Sequence, residues 1–142
     1  MKQKVMLHIC GKQHYEGQDP DVIELVTAGT MEKCDDGWEI CYEESEMTGL
    51  AGVTTIFRRE KGKVTLSRKG KLQSQMVFQE GMTHDSLYQS EFGALLISVC
   101  AKKITADLSE NGGTVELCYT ISVEYSATGT VEYCLQVEPI KV

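Results

Sequence analysis

The stretch "REKGKVTLSRKGKLQSQMVFQEG", residues 59–81, admits two readings: a basic surface for nucleic acid, or the turns of a β-meander. Its glycines favour the turns. Gly62, Gly70 and Gly81 each sit in a polar cluster, and between them "VTLSR" and "LQSQMVF" alternate apolar and polar residues with period two. Glycine supplies the positive φ that tight hairpin turns need. Two "KGK" triplets so close together leave room only for a short strand and its turn. The lysines then solvate those turns.

Outward from this stretch the same pattern recurs. Candidate strands run over Lys4–Lys12, Val22–Lys33, Trp38–Ser45, Gly52–Glu60, Lys63–Lys69, Leu72–Gln79, Ser86–Gln89, Ala94–Leu108, Thr114–Tyr125 and Thr130–Glu138. Turn signals separate them: "GQDPD", "CDDG", "EKG", "RKG", "QEG", "SEFG", "SENGG" and "SATG". No window carries a helical stripe of useful length, so the chain is expected to be all-β, one domain over residues 1–142. About ten twisted strands in sequential antiparallel hairpins need closure to cover their edges. This favours an up-and-down barrel of about 8–10 strands, with a sandwich as the alternative.

Alternation also sets which way side chains point. Val115, Leu117, Tyr119, Ile121 and Val123 share one face of the ninth strand, and Val131, Tyr133, Leu135 and Val137 one face of the tenth. These are the expected core faces, which puts Cys118 and Cys134 together on the polar side, opposite or one diagonal step apart. In "ALLISVCAKKITADL" the phase of Leu95, Ile97, Val99 and Ala101 resumes only at Ile104, Ala106 and Leu108. One extra residue at Lys102–Lys103 predicts a β-bulge.

With 142 residues the chain can bury a continuous core without metals or disulfides. Its net charge of −7 disfavours nucleic acid and anionic membrane as partners. The apolar run Val5–Cys10 is too short for a signal-peptide core and carries a histidine, and nothing elsewhere approaches a membrane span. A cytoplasmic location is therefore expected, with the six cysteines reduced. None forms a CxxC pair and their spacing fits no zinc template, so no metal or cofactor is expected.

Six pieces stand out along the chain: "YEE" at 42–44, "TTI" at 54–56, "VTLSRKG" at 64–70, "MVFQEG" at 76–81, "YQSEFG" at 88–93 and "LSENGGTVELCYTI" at 108–121. In their order and spacing the chain resembles the YwiB-like family of small bacterial proteins with a calycin-like, lipocalin-type β-barrel. The resemblance implies a closed barrel. It implies no reaction, and so brings no functional residues. The loop containing "KQHYEGQDPD" and the number of cysteines depart from the family pattern.

Three features could carry chemistry. The first is the basic cluster: residues 58–71 hold seven basic residues against Glu60, a net of +6, whereas residues 32–46 hold seven acidic residues against Lys33, a net of −6. In a meander these hairpins are neighbours and neutralise each other, each surface pair adding roughly 0.2–1 kcal/mol. The second is Arg68, which follows Val64 and Leu66 on one strand face, just as Glu44 follows Ile40 and Tyr42. Either Arg68 and Glu44 pair at the barrel rim, or Arg68, with Tyr42 and Tyr88, orients an anionic ligand above Met76 and Phe78.

The third feature, the histidines, is weak. His84 and Asp85 adjoin on a strand and point oppositely, while His8 shares a face only with Cys10. No catalytic residues are expected. The leading functional reading is non-enzymatic binding of a small, partly apolar or anionic molecule. Its alternatives are a protein-interaction module or homodimer with an interior plugged by Leu66, Met76, Phe78, Tyr119 and Tyr133, and third, an enzyme.

Overall fold

The computed structural model describes residues 2–14, 19–45 and 51–140, with the backbone alone at 127 and 128. Part of the long first loop and the acidic Glu46 lie outside the described residues. Every regular element among them is a strand: β1 (Gln3–His14), β2 (Asp21–Cys34), β3 (Gly37–Glu43), β4 (Val53–Glu60), β5 (Lys63–Gly70), β6 (Ser74–Phe78), β7 (Thr83–Ser90), β8 (Gly93–Ser109), β9 (Gly112–Val123) and β10 (Ser126–Pro139). They form one antiparallel sheet in the order β6-β5-β4-β3-β2-β1-β10-β9-β8-β7. The meander is thus joined through its terminal strands, and β6 and β7 are left as the two edges. These edges meet only through bridges at Gln73–Gln89 and Gln79–Met82, with the Gly81 amide donating to the Ala101 carbonyl at 2.9 Å. The result is a nearly closed barrel.

The punctuation of the opening stretch does what its chemistry requires. Gly62, Gly70 and Gly81 have φ of 73°, 123° and 76°. At Gly70 a side chain would also run into the Gly52 carbonyl. The bulge appears where the phase slips: Ala101 faces Tyr119 and Lys103 faces Cys118, leaving Lys102 unpaired.

One turn differs from expectation. The ninth strand stops at Val123, and the chain reverses at Glu124 and Tyr125, both with positive φ (53° and 64°), between the facing residues Val123 and Ser126. This is a two-residue hairpin of the kind that usually demands Asn or Gly. Glu124 is held there by its neighbour strand, because its amide donates to the Leu96 carbonyl and its Oε1 accepts from the Leu96 amide, both at 2.8 Å. "SATG", which reads as the turn, instead lies in β10 and produces a register shift between Ala127 and Gly129.

Inward-facing residues from all ten strands except β7 supply a contiguous apolar cluster, and Tyr88 of β7 packs against it. Two ring pairs fill its centre. Phe78 lies 4.6 Å from Tyr119, and Phe57 stacks 6.2 Å from Tyr133.

Candidate functional site

Four neighbouring strands carry a polar rung at one level of the barrel interior. Tyr42 of β3 faces Thr55 of β4, Thr55 faces Arg68 of β5, and Arg68 faces Ser74 of β6. The Gln73–Gln89 bridge sets Tyr88 of β7 level with Ser74 across the seam. Glu44 continues the inward phase of β3 and is buried, as is Thr55. One rung deeper the same strands carry only apolar side chains: Ile40, Phe57, Leu66 and Met76. Phe78 lies below Met76 and is fully buried.

Burial makes the hydrogen bonds of the upper rung decisive. Thr55 Oγ1 donates to Glu44 Oε1 at 2.7 Å, and the Tyr42 hydroxyl donates to the same carboxylate. Burial, then the Glu44 charge and hydrogen bond, push the Tyr42 phenol well above its ordinary range, with Arg68 pulling the other way. Tyr133 reaches this layer from β10. The residue is partly accessible, yet its hydroxyl is buried, and desolvation above all, then Tyr42, raises its pKa, again against Arg68. Both phenols are protonated donors at neutral pH. Arg68 Nε, Ser74 Oγ and the Tyr133 hydroxyl are buried without a hydrogen-bond partner.

Arg68 and Glu44, expected as a rim pair, stand on strands separated by β4. Ion pairs among the described residues include Arg58–Glu39 at 3.5 Å, Arg58–Glu60 at 3.6 Å and Lys63–Glu60 at 3.9 Å. Arg68 joins none of these. β4 lies between β3 and β5, and two strand spacings of about 4.8 Å separate the backbones that carry Glu44 and Arg68. Thr55, on the strand between, takes the carboxylate.

Two members of the polar rung, Arg68 and Ser74, border a hollow at the seam. Between its two bridges to β7, β6 lacks a continuous ladder, and a surface hollow of about 390 Å³ lies over this join, bordered by Arg68, Lys69, Ser74, Gln75, Ser86 and Leu87. Tyr42, Glu44, Arg68 and Tyr88 are therefore brought to one region, with Met76 and Phe78 as its apolar floor. Thr55, Ser74 and Tyr133 belong to the same region and escape sequence reasoning. Thr55 and Ser74 leave a signal, since each interrupts an apolar phase (Val53 to Phe57, Leu72 to Phe78) at the register of Arg68. Tyr133 leaves none, because it reads as core.

The remaining candidates are separated. Of the basic cluster, Arg59 and Arg68 follow the inward phase and Arg58 the outward one, where it meets Glu39, so the cluster is split across the wall. His84 Nε2 lies 2.8 Å from Gln79 Oε1, whereas Asp85 accepts from Ser98 Oγ at 2.6 Å, on the other side of β7. His8 and Cys10 border one outer groove with Glu24 and Cys134, but no group of three ligands able to hold a metal occurs among the described residues. No helix among those residues is long and apolar enough to cross a membrane.

Comparison with known proteins agrees with the barrel. The crystal structure of the ywiB protein from Bacillus subtilis matches with a TM-score of 0.89, covering 99% of this chain and 94% of that one at 24% identity, which shows a shared fold. The curated sequence of the uncharacterized beta-barrel protein YwiB from Bacillus subtilis (strain 168) is 29% identical over 126 residues, 87% of this chain and 86% of the relative. The family model described as Domain of unknown function (DUF1934) matches residues 7–135, nearly the whole meander from β1 into β10, and the chain belongs to that family.

Proposed function

We propose that the protein binds a small anion with a short apolar portion at the polar rung beneath the β6–β7 seam, and performs no chemistry on it. The observation that carries this reading is the buried, unpartnered Nε of Arg68, with Ser74 Oγ and the Tyr133 hydroxyl, where Arg68 and Ser74 border the surface hollow at the seam. Buried polar atoms in folded proteins are nearly always satisfied; Arg58 Nε and Arg59 Nε also lack a hydrogen-bond partner here, but the three atoms of this region gather at one place and favour an external acceptor. A guanidinium offers a planar fork that suits a carboxylate, and neutral tyrosine hydroxyls add donors without repelling an anion. The apolar rung below would take a hydrocarbon tail, and the filled barrel centre limits that tail to a few carbons. The free cysteines favour a reducing, cytoplasmic setting.

A second reading, a protein-interaction module or homodimer, draws on the same filled centre and on exposed apolar side chains such as Phe92, 91% accessible, and Leu87. Thermal melts with butyrate and with 1-butanol separate the two. On the binding reading, butyrate raises the melting temperature saturably, 1-butanol does not, and Arg68→Met abolishes the response while folding. A wild-type protein indifferent to butyrate, octanoate and inorganic phosphate, and dimeric by light scattering, would move the argument to the second reading.

A further inference from the structure

The barrel is joined where β1 meets β10, and in that register Cys10 faces Cys134 directly on the outer wall. The Ile140 amide donates to the Lys4 carbonyl at 3.1 Å, which makes Lys4 and Ile140 a hydrogen-bonded pair. Such pairs recur at every second residue of an antiparallel ladder, so Cys10 and Cys134 form another, with Cα atoms about 5.5 Å apart. Disulfides span Cα separations of roughly 4.4–6.8 Å. Facing Cβ atoms in a ladder are about 4.5–5.5 Å apart, and a relaxed bridge wants about 3.5–4.5 Å. Closing the link therefore draws the strands together slightly, and a bridge formed under such strain is readily reduced.

Cys118 is the competing partner and is placed worse. It faces Glu132 while Cys134 faces Glu116, so the two cysteines are one diagonal step apart, about 7–8 Å. Cys10 and Cys134 are both partly exposed, and both border a hollow of about 360 Å³ that also includes Cys118, Lys12 and Lys103. A peptide-sized reagent can reach them there. Burial, Glu116 and Cys10 together push the Cys134 thiol up, which suits it to act second.

We propose that Cys10 and Cys134 form a reversible dithiol–disulfide site on the outer wall, closed by a low-molecular-weight disulfide of the glutathione class. The Cys10 thiolate attacks one sulfur of the reagent, giving a mixed disulfide and releasing one thiol. Cys134 then gives up its proton and attacks Cys10 Sγ, releasing the second thiol. Two protein thiols are oxidised, one reagent disulfide is reduced to two thiols, and a dithiol reverses the sequence. The closed link ties the first strand to the last. Because the loop it encloses is nearly the whole chain, it restricts the unfolded ensemble strongly.

The test treats native full-length protein with oxidised glutathione, blocks remaining thiols, and counts them by mass after denaturation. Six free thiols should fall to four, with Cys10 linked to Cys134 in the peptide map, and dithiothreitol should restore all six. Cys118→Ser should still close, whereas Cys10→Ser should show only glutathione adducts. Phenylarsine oxide, which bridges adjacent thiols without oxidation, should bind one-to-one to the wild type and to Cys118→Ser but not to Cys134→Ala, and this checks proximity independently. Retention of six thiols, glutathione adducts without the internal link, or a link mapped to any other pair overturns the proposal.

Discussion

Two adjacent rungs of the same four strands make opposite use of burial. Ile40, Phe57, Leu66 and Met76 form a rung closed by apolar contact, with Phe57 stacked on Tyr133. One step nearer the seam, Tyr42, Thr55, Arg68 and Ser74 form a rung that must be satisfied by hydrogen bonds, and it leaves Arg68 Nε and Ser74 Oγ without partners. Backbone, register and neighbours are shared, so the contrast belongs to the side chains alone. The lower rung is where stability is concentrated. The upper one buries polar groups, and those left without partners there cost stability.

The largest expected effect tests the lower rung. Phe57→Ala removes a ring that is 1% exposed and belongs to the contiguous cluster. Loss of transfer energy and the cavity left behind should together destabilise the fold by about 3–5 kcal/mol in urea unfolding. A loss below about 1 kcal/mol would mean that the centre of the barrel collapses easily around the missing ring.

Thr55→Val is the matching change one rung up. It keeps the shape and strips one donor from the buried Glu44 carboxylate, so a loss of about 1–3 kcal/mol is expected. Adding Glu44→Leu and Tyr42→Phe should recover much of it, since replacing the carboxylate and both of its donors with apolar groups removes the unsatisfied charge and leaves no orphaned hydroxyl. If the triple variant is as unstable as the single one, Thr55 acts through packing, and the polar character of its rung has been overstated.

How much of this contrast could be read from the residues depends on distance along the chain. Hairpins are local, so Gly62, Gly70 and Gly81 mark their turns, and the slip after Ala101 marks the bulge at Lys102. Strand phase is local as well, which is why Tyr42, Glu44, Arg68 and Tyr88 are legible as inward-facing. Register across strands that are not consecutive is a global property. The facing of Cys10 by Cys134 depends on β1 finding β10, and no turn between them reports it. The burial of Tyr133's hydroxyl beside Arg68 likewise depends on the far wall of the barrel. The reversal at Glu124 and Tyr125 was hidden for a different reason, since its stabilising bonds come from Leu96 on β8 and not from a turn-forming residue.

The smallest effect is nil at neutral pH and appears only in alkali, and it separates the phenols near the upper rung from the rest. Tyr42 and Tyr133 are raised chiefly by burial, so in the folded protein they keep their protons above the ordinary tyrosine pKa of about 10. Below that pH folded and unfolded states bind the same phenolic protons, and these groups contribute no pH dependence. Above it the unfolded chain releases protons that the folded protein retains, so stability falls as pH rises toward the folded values. Phenolate absorbance should therefore show Tyr42 and Tyr133 silent until the circular dichroism signal is lost. Tyr42→Phe should remove one silent phenol and flatten the alkaline loss of stability. Six tyrosines titrating together near pH 10 in a protein that remains folded would show that water reaches both hydroxyls, and that the upper rung is solvated like the outer wall.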